Sequence, residues 1–279
     1  QNAASGVLKK TITTEDGSGI NEIKFSPNVE MICCGSSSGG ILLYNFKSGE
    51  LTKSDSKKRK KVISLEFMSY GNSVMVVYDD GSVDIRNAND LGIDKTDEIP
   101  TGNRKLSAVA LNPKTGMIAA GGWDNRIKLL QFDNAIKVIK TFEKAHTNII
   151  SKLIFNEEKN ILISGSTDGL IKFWDIEKDR QLLSIYAKSE NEWAVVTPEG
   201  YFDGTKAAFE RLHWVIGDQP LSLDTYFDDY FQPYLLDLLV NGGMEETGLL
   251  EKEAIAGKSL PPSIEILTPM NDTVNAESY

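Results

Sequence analysis

The chain has 279 residues, of which 41% are hydrophobic and 25% are charged, a balance that is ordinary for a globular protein. Its formal net charge of −10 argues against a general nucleic-acid binder, because such proteins need a basic face to displace counterions from phosphates. No apolar run approaches the roughly 18 to 20 residues of a membrane span, and residues 1–6 lack signal-peptide character, so we expect no membrane partner.

Four segments of the chain align without a gap: residues 20–45, 62–87, 106–131 and 150–175. Each segment opens with apolar residues at the same three positions. Each later has a small or β-branched residue, and a turn dipeptide begins three positions after it. The four turn dipeptides are Ser38-Gly39, Asp80-Gly81, Asp124-Asn125 and Asp168-Gly169. Self-similarity at this period indicates a repeat architecture.

The pattern inside each repeat predicts antiparallel strands. Apolar and polar residues alternate in the first strand, and a more continuously apolar second strand follows, such as Met31 to Cys34. The turn dipeptide tolerates positive φ and returns the chain into a third strand, and a fourth strand ends the unit. Four strands per repeat of this length predict an all-β fold, a β-propeller built of four-stranded antiparallel blades.

The fourth repeat resembles the WD-repeat family most closely. It contains Leu162 to Gly169 followed by Ile171-Lys172-Phe173-Trp174-Asp175, with a histidine upstream. In that family a histidine, a strand serine, the turn aspartate and a tryptophan form a buried hydrogen-bonded network. The resemblance implies that this network consists of His146, Ser164, Asp168 and Trp174. The other repeats have Tyr44, Arg86 and Leu130 at the tryptophan position.

The region after Lys188 breaks the repeat. Residues 192–204 predict a hairpin, residues 212–215 a strand, and residues 223–231 and 233–240 helical stretches. This combination resembles the closing segment of bacterial WD-repeat proteins that are often fused to a caspase-like peptidase. In those proteins an Ig-like domain follows, and Pro261 to Pro269 resembles its opening.

We therefore divide the chain into a propeller over residues 1–217, a helical closing segment over 218–258, and a linker with the start of an Ig-like domain over 259–279. The predicted blades cover residues 20–60, 62–105, 106–149, 150–191 and a divergent fifth at 192–217. Two arrangements remain open. In the first, which we favour, further blades upstream belong to the rest of the parent chain. In the second, Val7–Thr13 completes the fifth sheet of a closed ring of five blades.

Few residues point to catalysis, a cofactor or a metal. Cys33 and Cys34 are adjacent in a strand, so they face opposite sides, do not form a disulfide framework and favour a reducing, cytoplasmic location. With His146 and His213 as the only histidines, no zinc site is indicated. Asp228-Asp229 is interpreted as an exposed helix face, and the basic run of residues 57–61 as a solvated loop.

The sequence thus favours a non-catalytic protein-interaction scaffold that needs no cofactor. Loop residues on one face of the propeller would contact a protein partner, and the candidates are Trp123, Arg126, Lys128, Tyr78, Asp79 and Arg86. The resemblance implies that such a scaffold controls an attached peptidase domain. The alternatives are a purely structural subunit and a propeller enzyme, and the apolar or small inner-strand positions argue against the enzyme.

Overall fold

The structure, a computed structural model, describes residues 11–14, 16–55, 60–68, 71–102, 104–112, 114–156, 158–216, 219–241 and 263–266. The chain divides into two compact units, residues 1–157 and 158–279. Most of the basic run at 57–61, most of the predicted outer strand at 7–13 and most of the C-terminal segments after residue 241 lie outside the described residues. No helix in the described ranges is long and apolar enough to cross a membrane.

The first unit contains three sheets of four antiparallel strands, each joined in chain order, and one further strand. Sheet I consists of β1 (Ile20–Phe25), β2 (Met31–Ser36), β3 (Ile41–Asn45) and β4 (Glu50–Asp55). Sheet II consists of β5 (Val62–Phe67), β6 (Ser73–Tyr78), β7 (Ser82–Asn87) and β8 (Ile93–Glu98). Sheet III consists of β9 (Leu106–Asn112), β10 (Met117–Gly122), β11 (Ile127–Phe132) and β12 (Ile136–Phe142), and β13 (Ile150–Asn156) ends the unit.

The turn dipeptides form the hairpins that the sequence predicts. In each repeat the second residue of the dipeptide takes positive φ, and these residues are Gly39, Gly81, Asn125 and Gly169. Asparagine tolerates this region better than most non-glycine residues, which explains why the third repeat manages without glycine. The predicted second and third strands of every repeat are therefore confirmed.

Consecutive sheets of the first unit stack through apolar side chains. The first strand of each repeat lies beside the next, so that β1 neighbours β5, β5 neighbours β9, and β9 neighbours β13. Each sheet has a rear face, which packs on the preceding repeat, and a front face, which packs on the following one. Leu65 and Val76 on the rear face of sheet II pack with Cys33 and Leu43 on the front face of sheet I. Similar packing joins sheets II and III.

The second unit contains sheet IV, a smaller sheet and short helices. Sheet IV runs in chain order through β14 (Ile161–Ser166), β15 (Leu170–Asp175), β16 (Arg180–Ser189), β17 (Glu192–Val196) and β18 (Phe202–Gly204). The smaller sheet has β19 (Leu212–Ile216) between β20 (Gln219–Ser222) and β21 (Ser263–Ile266). The helices are α1 (Lys206–Phe209), a 3-10 turn (Leu223–Tyr226), α2 (Phe227–Tyr230) and α3 (Leu235–Val240).

The segment predicted as one divergent blade, residues 192–217, is divided between two sheets. β17 and β18 extend sheet IV, because β16 continues to Ser189 and pairs with β17 as a hairpin. β19 instead pairs with β20 and β21. An aromatic cluster fills the space on the outer part of sheet IV. In it Phe202 contacts Phe209, Trp214, Phe227 and Phe231 with ring centroids 5.3 to 5.9 Å apart.

Candidate functional site

Part of the predicted buried network is formed in sheet IV. Trp174 Nε1 donates a hydrogen bond of 2.8 Å to Ser164 Oγ, and both side chains are buried. Asp168 Oδ1 accepts from the backbone N–H of Leu170 at 3.0 Å and holds the turn between β14 and β15. His146 lies in the first unit, where its imidazole is buried and its backbone N–H donates to the carbonyl of Asn125. Its role in the network stays a prediction.

Sheet II replaces the tryptophan by a buried ion pair. Arg86 Nη2 lies 2.9 Å from Asp84 Oδ2, and the two side chains are 1% and 4% exposed. The hydroxyl of Tyr78 donates to the same carboxylate oxygen at 3.1 Å, and Arg86 Nη1 donates to the carbonyl of Leu91 at 2.9 Å. A buried charge pair of this kind needs such additional hydrogen bonds, because desolvation of the two ions is costly.

Tyr78 and Arg86 are therefore not available to a partner. The prediction that these two residues are exposed partner contacts is wrong. Tyr78 is 1% exposed and Arg86 is 1% exposed, since both point into the layer between sheets. Asp79 is also buried, apart from one edge of its carboxylate. Lys128 lies largely covered and pairs with Asp124 at 2.9 Å.

The structure does bring two of the predicted residues to the surface, at the turns that follow β6 and β10. We call Asp79, Lys105, Trp123 and Arg126 the turn surface. Trp123 is 52% exposed, and Arg126 Nε lies 3.0 Å from Glu143 Oε2. The sequence reasoning missed Lys105, whose Nζ lies 2.9 Å from Asp79 Oδ2. Its position one residue before an apolar first strand is the signal that places it at this edge.

Backbone hydrogen bonds fix the turn surface. Within sheet III the N–H of Trp123 donates to the carbonyl of Lys105 at 3.0 Å, and between sheets III and II the N–H of Leu106 donates to the carbonyl of Asp79 at 2.8 Å. Gly122 permits this close approach, because a Cβ at that position would lie 2.2 Å from the carbonyl oxygen of Lys105. The backbone that presents the Trp123 side chain is therefore held by two neighbouring segments.

Asp79 carries a buried acceptor on this surface. Its Oδ2 binds Lys105, whereas no donor in the described part of the chain reaches its buried Oδ1. A buried carboxylate oxygen normally has a hydrogen-bond partner, since leaving it without one costs free energy. The turn surface thus combines an exposed indole with two cations, whereas Oδ1 of Asp79 lies beneath the surface.

Charged residues alternate with the apolar residues along the inner strands. Lys24 Nζ lies 2.7 Å from Glu66 Oε1, and Lys152 Nζ lies 3.7 Å from Glu22 Oε1. Burial raises the pKa of Glu66 above its usual range. These residues occupy the other phase of the strand alternation, between the apolar residues that pack the sheets. Their opposite charges pair with one another.

The two cysteines have the properties of core residues. Both are buried, and burial raises the pKa of Cys33 to about 12 and also raises the pKa of Cys34. A nucleophilic cysteine needs the opposite, a lowered pKa and partial exposure. Asp228 and Asp229 are exposed on α2, in agreement with their interpretation. Within the described ranges, no group of three or more His, Cys, Asp or Glu residues is placed to hold a metal ion.

Comparison with known proteins supports the fold. The family described as "WD domain, G-beta repeat" matches residues 98–130 and 136–175. The fold is that of WD-repeat β-propeller blades. Among solved structures, U3-55K superposes with a TM-score of 0.54 at 14% identity, over 67% of this chain and 61% of that chain. The mitotic checkpoint complex gives a TM-score of 0.56 at 15% identity, over 72% and 67%.

Curated relatives match this chain over shorter stretches. The THO complex subunit 6 homolog of Danio rerio is 32% identical over 83 residues, which is 30% of this chain and 24% of that protein. The small ribosomal subunit protein RACK1 of Neurospora crassa is 26% identical over 91 residues, which is 33% and 28%. The matches thus span about a quarter of the relatives' length. Both relatives are eukaryotic, and the resemblance to bacterial caspase-fused proteins stays a prediction.

Proposed function

We propose that this chain is a non-catalytic protein-interaction scaffold and that its turn surface, Asp79, Lys105, Trp123 and Arg126, contacts the partner. The observation that carries the proposal is Trp123, a large aromatic side chain that is half exposed on a backbone held by a hydrogen bond to Lys105, at the start of the adjacent strand β9. Exposed tryptophan is expensive to leave in water, and tryptophan and arginine are enriched among the residues that dominate binding energy.

The rigid presentation of these side chains favours binding. Ordering a mobile loop on association costs free energy, and a turn that is already fixed avoids most of that cost. Trp123 offers an apolar contact, whereas Lys105 and Arg126 are held in place by Asp79 and Glu143. The surface therefore has a hydrophobic centre with a charged rim, which is the usual arrangement at protein interfaces.

The exposed groups of the turn surface indicate the chemistry of the partner. Trp123 suits a segment that brings an apolar or aromatic side chain, and the exposed charged groups of Lys105 and Arg126 suit hydrogen-bond acceptors beside it. A general nucleic-acid backbone does not fit, because the exposed cations of the turn surface are paired with carboxylates and the chain has a net charge of −10.

Affinity capture with quantitative mass spectrometry tests the site. The bait proteins are the wild-type chain, the Trp123→Ala variant and a Trp123→Ala/Arg126→Ala double variant, each incubated with lysate of the source cells. We expect a specific set of proteins to be depleted at least about tenfold by the double variant, which corresponds to roughly 1.4 kcal/mol of lost binding free energy.

An Ile139→Ala variant is the matched control, because Ile139 is an equally exposed large apolar residue on the outer strand β12. Proteins captured by wild type and by the control but not by the Trp123 variants identify the turn surface as the site. If every captured protein is retained by the double variant, the turn surface is not the partner site.

A finer proposal concerns the cellular context. We propose that the scaffold works in the cytoplasm and regulates a caspase-like peptidase domain of the same polypeptide. The support is the resemblance of residues 192–240 and of Pro261-Pro262 to the closing segment of such proteins, together with two free, buried cysteines. The complete coding sequence tests the second part, since a parent gene without a peptidase domain would exclude it.

A further inference from the structure

The first strands of sheets II and III are each preceded by two basic residues. Lys60-Lys61 comes directly before β5 and Arg104-Lys105 directly before β9, and all four residues are exposed. The corresponding residues are Ser18-Gly19 before β1 and Asn148-Ile149 before β13. The basic pair therefore belongs to the two sheets that form the turn surface and is not a general feature of the repeat.

Backbone hydrogen bonds place the two basic pairs beside each other. The N–H of Asp79 donates to the carbonyl of Lys61 at 2.9 Å. The carbonyl of Asp79 in turn accepts at 2.8 Å from the N–H of Leu106, the residue that follows Lys105. Asp79 thus connects one pair to the other, and the four cations lie along one short stretch of the edge.

Two further cations lie beside Trp123. The Nε of Arg126 is 3.0 Å from Glu143 Oε2, and Lys144, the residue after Glu143, is exposed. A hydrogen bond from the N–H of His146 to the carbonyl of Asn125 ties this segment to the turn after β10. We call the six cations together the basic edge, which consists of Lys60, Lys61, Arg104, Lys105, Arg126 and Lys144.

The cations of the basic edge outnumber the carboxylates that lie among them. Three cations have a carboxylate partner, in the pairs Lys60–Asp80, Lys105–Asp79 and Arg126–Glu143. No ion pair within the described ranges includes Lys61, Arg104 or Lys144. Because the whole chain has a net charge of −10, the basic edge is a positive region on a negatively charged protein. Such a local field attracts a negatively charged partner.

The spacing of the two basic pairs indicates how the charges of the partner are arranged. Packed sheets lie roughly 10 Å apart, and each sheet contributes one pair. A polyproline II segment rises about 3.1 Å per residue and has three residues per turn. Residues three positions apart in such a segment therefore share a face and are separated by nearly the same distance. Acidic residues at this spacing can each reach one basic pair.

An acidic segment of a protein suits the basic edge better than a nucleic acid does. Asp80 and Glu143 lie among the cations, and their side chains are 33% and 62% exposed. A nucleic acid has a negative charge on every nucleotide and would bring some of these charges against the two carboxylates. A peptide avoids this repulsion, because it can have neutral residues at those points.

We propose that the turn surface recognises an acidic peptide segment of a partner protein, in which aspartate or glutamate residues three positions apart accompany a large apolar residue. The acidic residues pair with the basic residues before β5 and β9, and the apolar residue packs on Trp123. This inference rests on the proposed function, because it names the partner class of the same surface. Binding should weaken as salt is added, since salt screens attraction between exposed charges.

Fluorescence anisotropy of labelled peptides tests the proposal. Three peptides of about nine residues share a central phenylalanine and differ only at every third position, which holds glutamate, glutamine or lysine. We expect the glutamate peptide to bind the wild type at least about tenfold more tightly than the glutamine peptide. Its dissociation constant should rise at least about threefold between about 50 and about 300 mM NaCl.

Charge reversal makes the test sharper. In a Lys61→Glu/Arg104→Glu variant the preference should invert, so that the lysine peptide binds more tightly than the glutamate peptide. Trp123→Ala should weaken binding of the glutamate peptide at least about tenfold. The control is Lys47→Glu/Lys137→Glu, which changes the net charge equally at exposed lysines away from the basic edge and should keep the wild-type preference.

Circular dichroism checks that each variant is folded. If the charge-reversal variant is not folded, Lys61→Gln/Arg104→Gln replaces it and should bind the glutamate and glutamine peptides equally.

Several results would overturn the inference. If the three peptides bind alike and all are lost in Trp123→Ala, the turn surface is the partner site but the acidic partner is wrong. Binding of the glutamate peptide that survives Trp123→Ala, or no peptide binding up to about 1 mM, would also contradict it. The lysate capture tests the proposed function separately. A single-stranded DNA of about ten nucleotides that competes as effectively as the glutamate peptide would indicate a nucleic-acid partner instead.

Discussion

At the scale of single residues, the most informative position is Arg86, where a cation occupies a place that tryptophan fills in the fourth repeat. Arg86→Met should destabilise the protein by about 3–5 kcal/mol, because it leaves the carboxylate of Asp84 buried without its counterion. Urea unfolding measures the change. Lys47→Met is the control, since Lys47 and Glu30 form an exposed pair, and exposed pairs contribute little to stability. Equal losses in both variants would contradict the assigned burial.

The bond between Trp174 and Ser164 gives a second prediction at this scale. Ser164→Ala should cost about 1–3 kcal/mol, because the buried indole N–H loses its acceptor. In a double-mutant cycle with Trp174→Phe, the combined loss should be smaller than the sum of the two single losses. Additivity within about 0.5 kcal/mol would show that the two side chains act independently.

The cysteines give a prediction that depends on pH. Burial disfavours the thiolate and raises the pKa of Cys33 to about 12, so at pH 8 only roughly one Cys33 in ten thousand is ionised. We expect the native protein to resist a thiol reagent such as Ellman's reagent at pH 8, and both cysteines to react in denaturant, where their pKa values return to normal. Rapid labelling of the native protein would place a thiol at the surface.

The residue scale also shows where sequence reasoning fails. Arginine at position 86 is interpreted as a loop-facing contact, because arginine is rarely buried. Its partner Asp84 lies two residues earlier in the same strand, and residues at this spacing share a face. That spacing was the available signal for the pair. Trp123 and Arg126 could be placed at the surface because they adjoin a turn, whereas Lys105 and Asp79 meet only through the stacking of two sheets.

At the scale of strands and sheets, the contacts of two equivalent glycines predict opposite responses to one substitution. Gly35→Val should destabilise the protein by about 1–3 kcal/mol or more, because the added atoms collide with Val62 in the adjacent sheet. Gly165→Val should change the stability by less than about 0.5 kcal/mol, since no atom of the described residues lies within 4 Å of a Cβ placed there. Thermal unfolding compares the two. Equal destabilisation would mean that a neighbour covers Gly165.

The strands themselves were largely predictable, because their signals are local. Alternation of apolar residues and turn dipeptides with residues that accept positive φ give the second and third strands of all four repeats. The division of residues 192–217 between two sheets was not predictable. It depends on the extension of β16 to Ser189 and on the pairing of β19 with a strand about fifty residues later, neither of which leaves a periodic trace.

At the scale of the whole molecule, the repeats form an array whose stability should be approximately a sum of sheet stabilities and nearest-neighbour contacts. The fold follows from repetition, so it could be argued from sequence. Function does not repeat, because the turn surface depends on side chains that occur once, such as Trp123 and Lys105. The sequence of a single chain therefore reveals the fold more readily than it reveals the binding partner.

The exposed apolar residues of β1 have a consequence for local opening. Ile23 and Phe25 of β1 are half exposed, whereas the equivalent residues of β5, Leu65 and Phe67, are buried. Amide protons in β1 should therefore exchange with deuterium faster than those in β5, although each strand is hydrogen-bonded to the second strand of its own sheet. Under mild denaturant a protease should then cut the first strand of sheet I before that of sheet II.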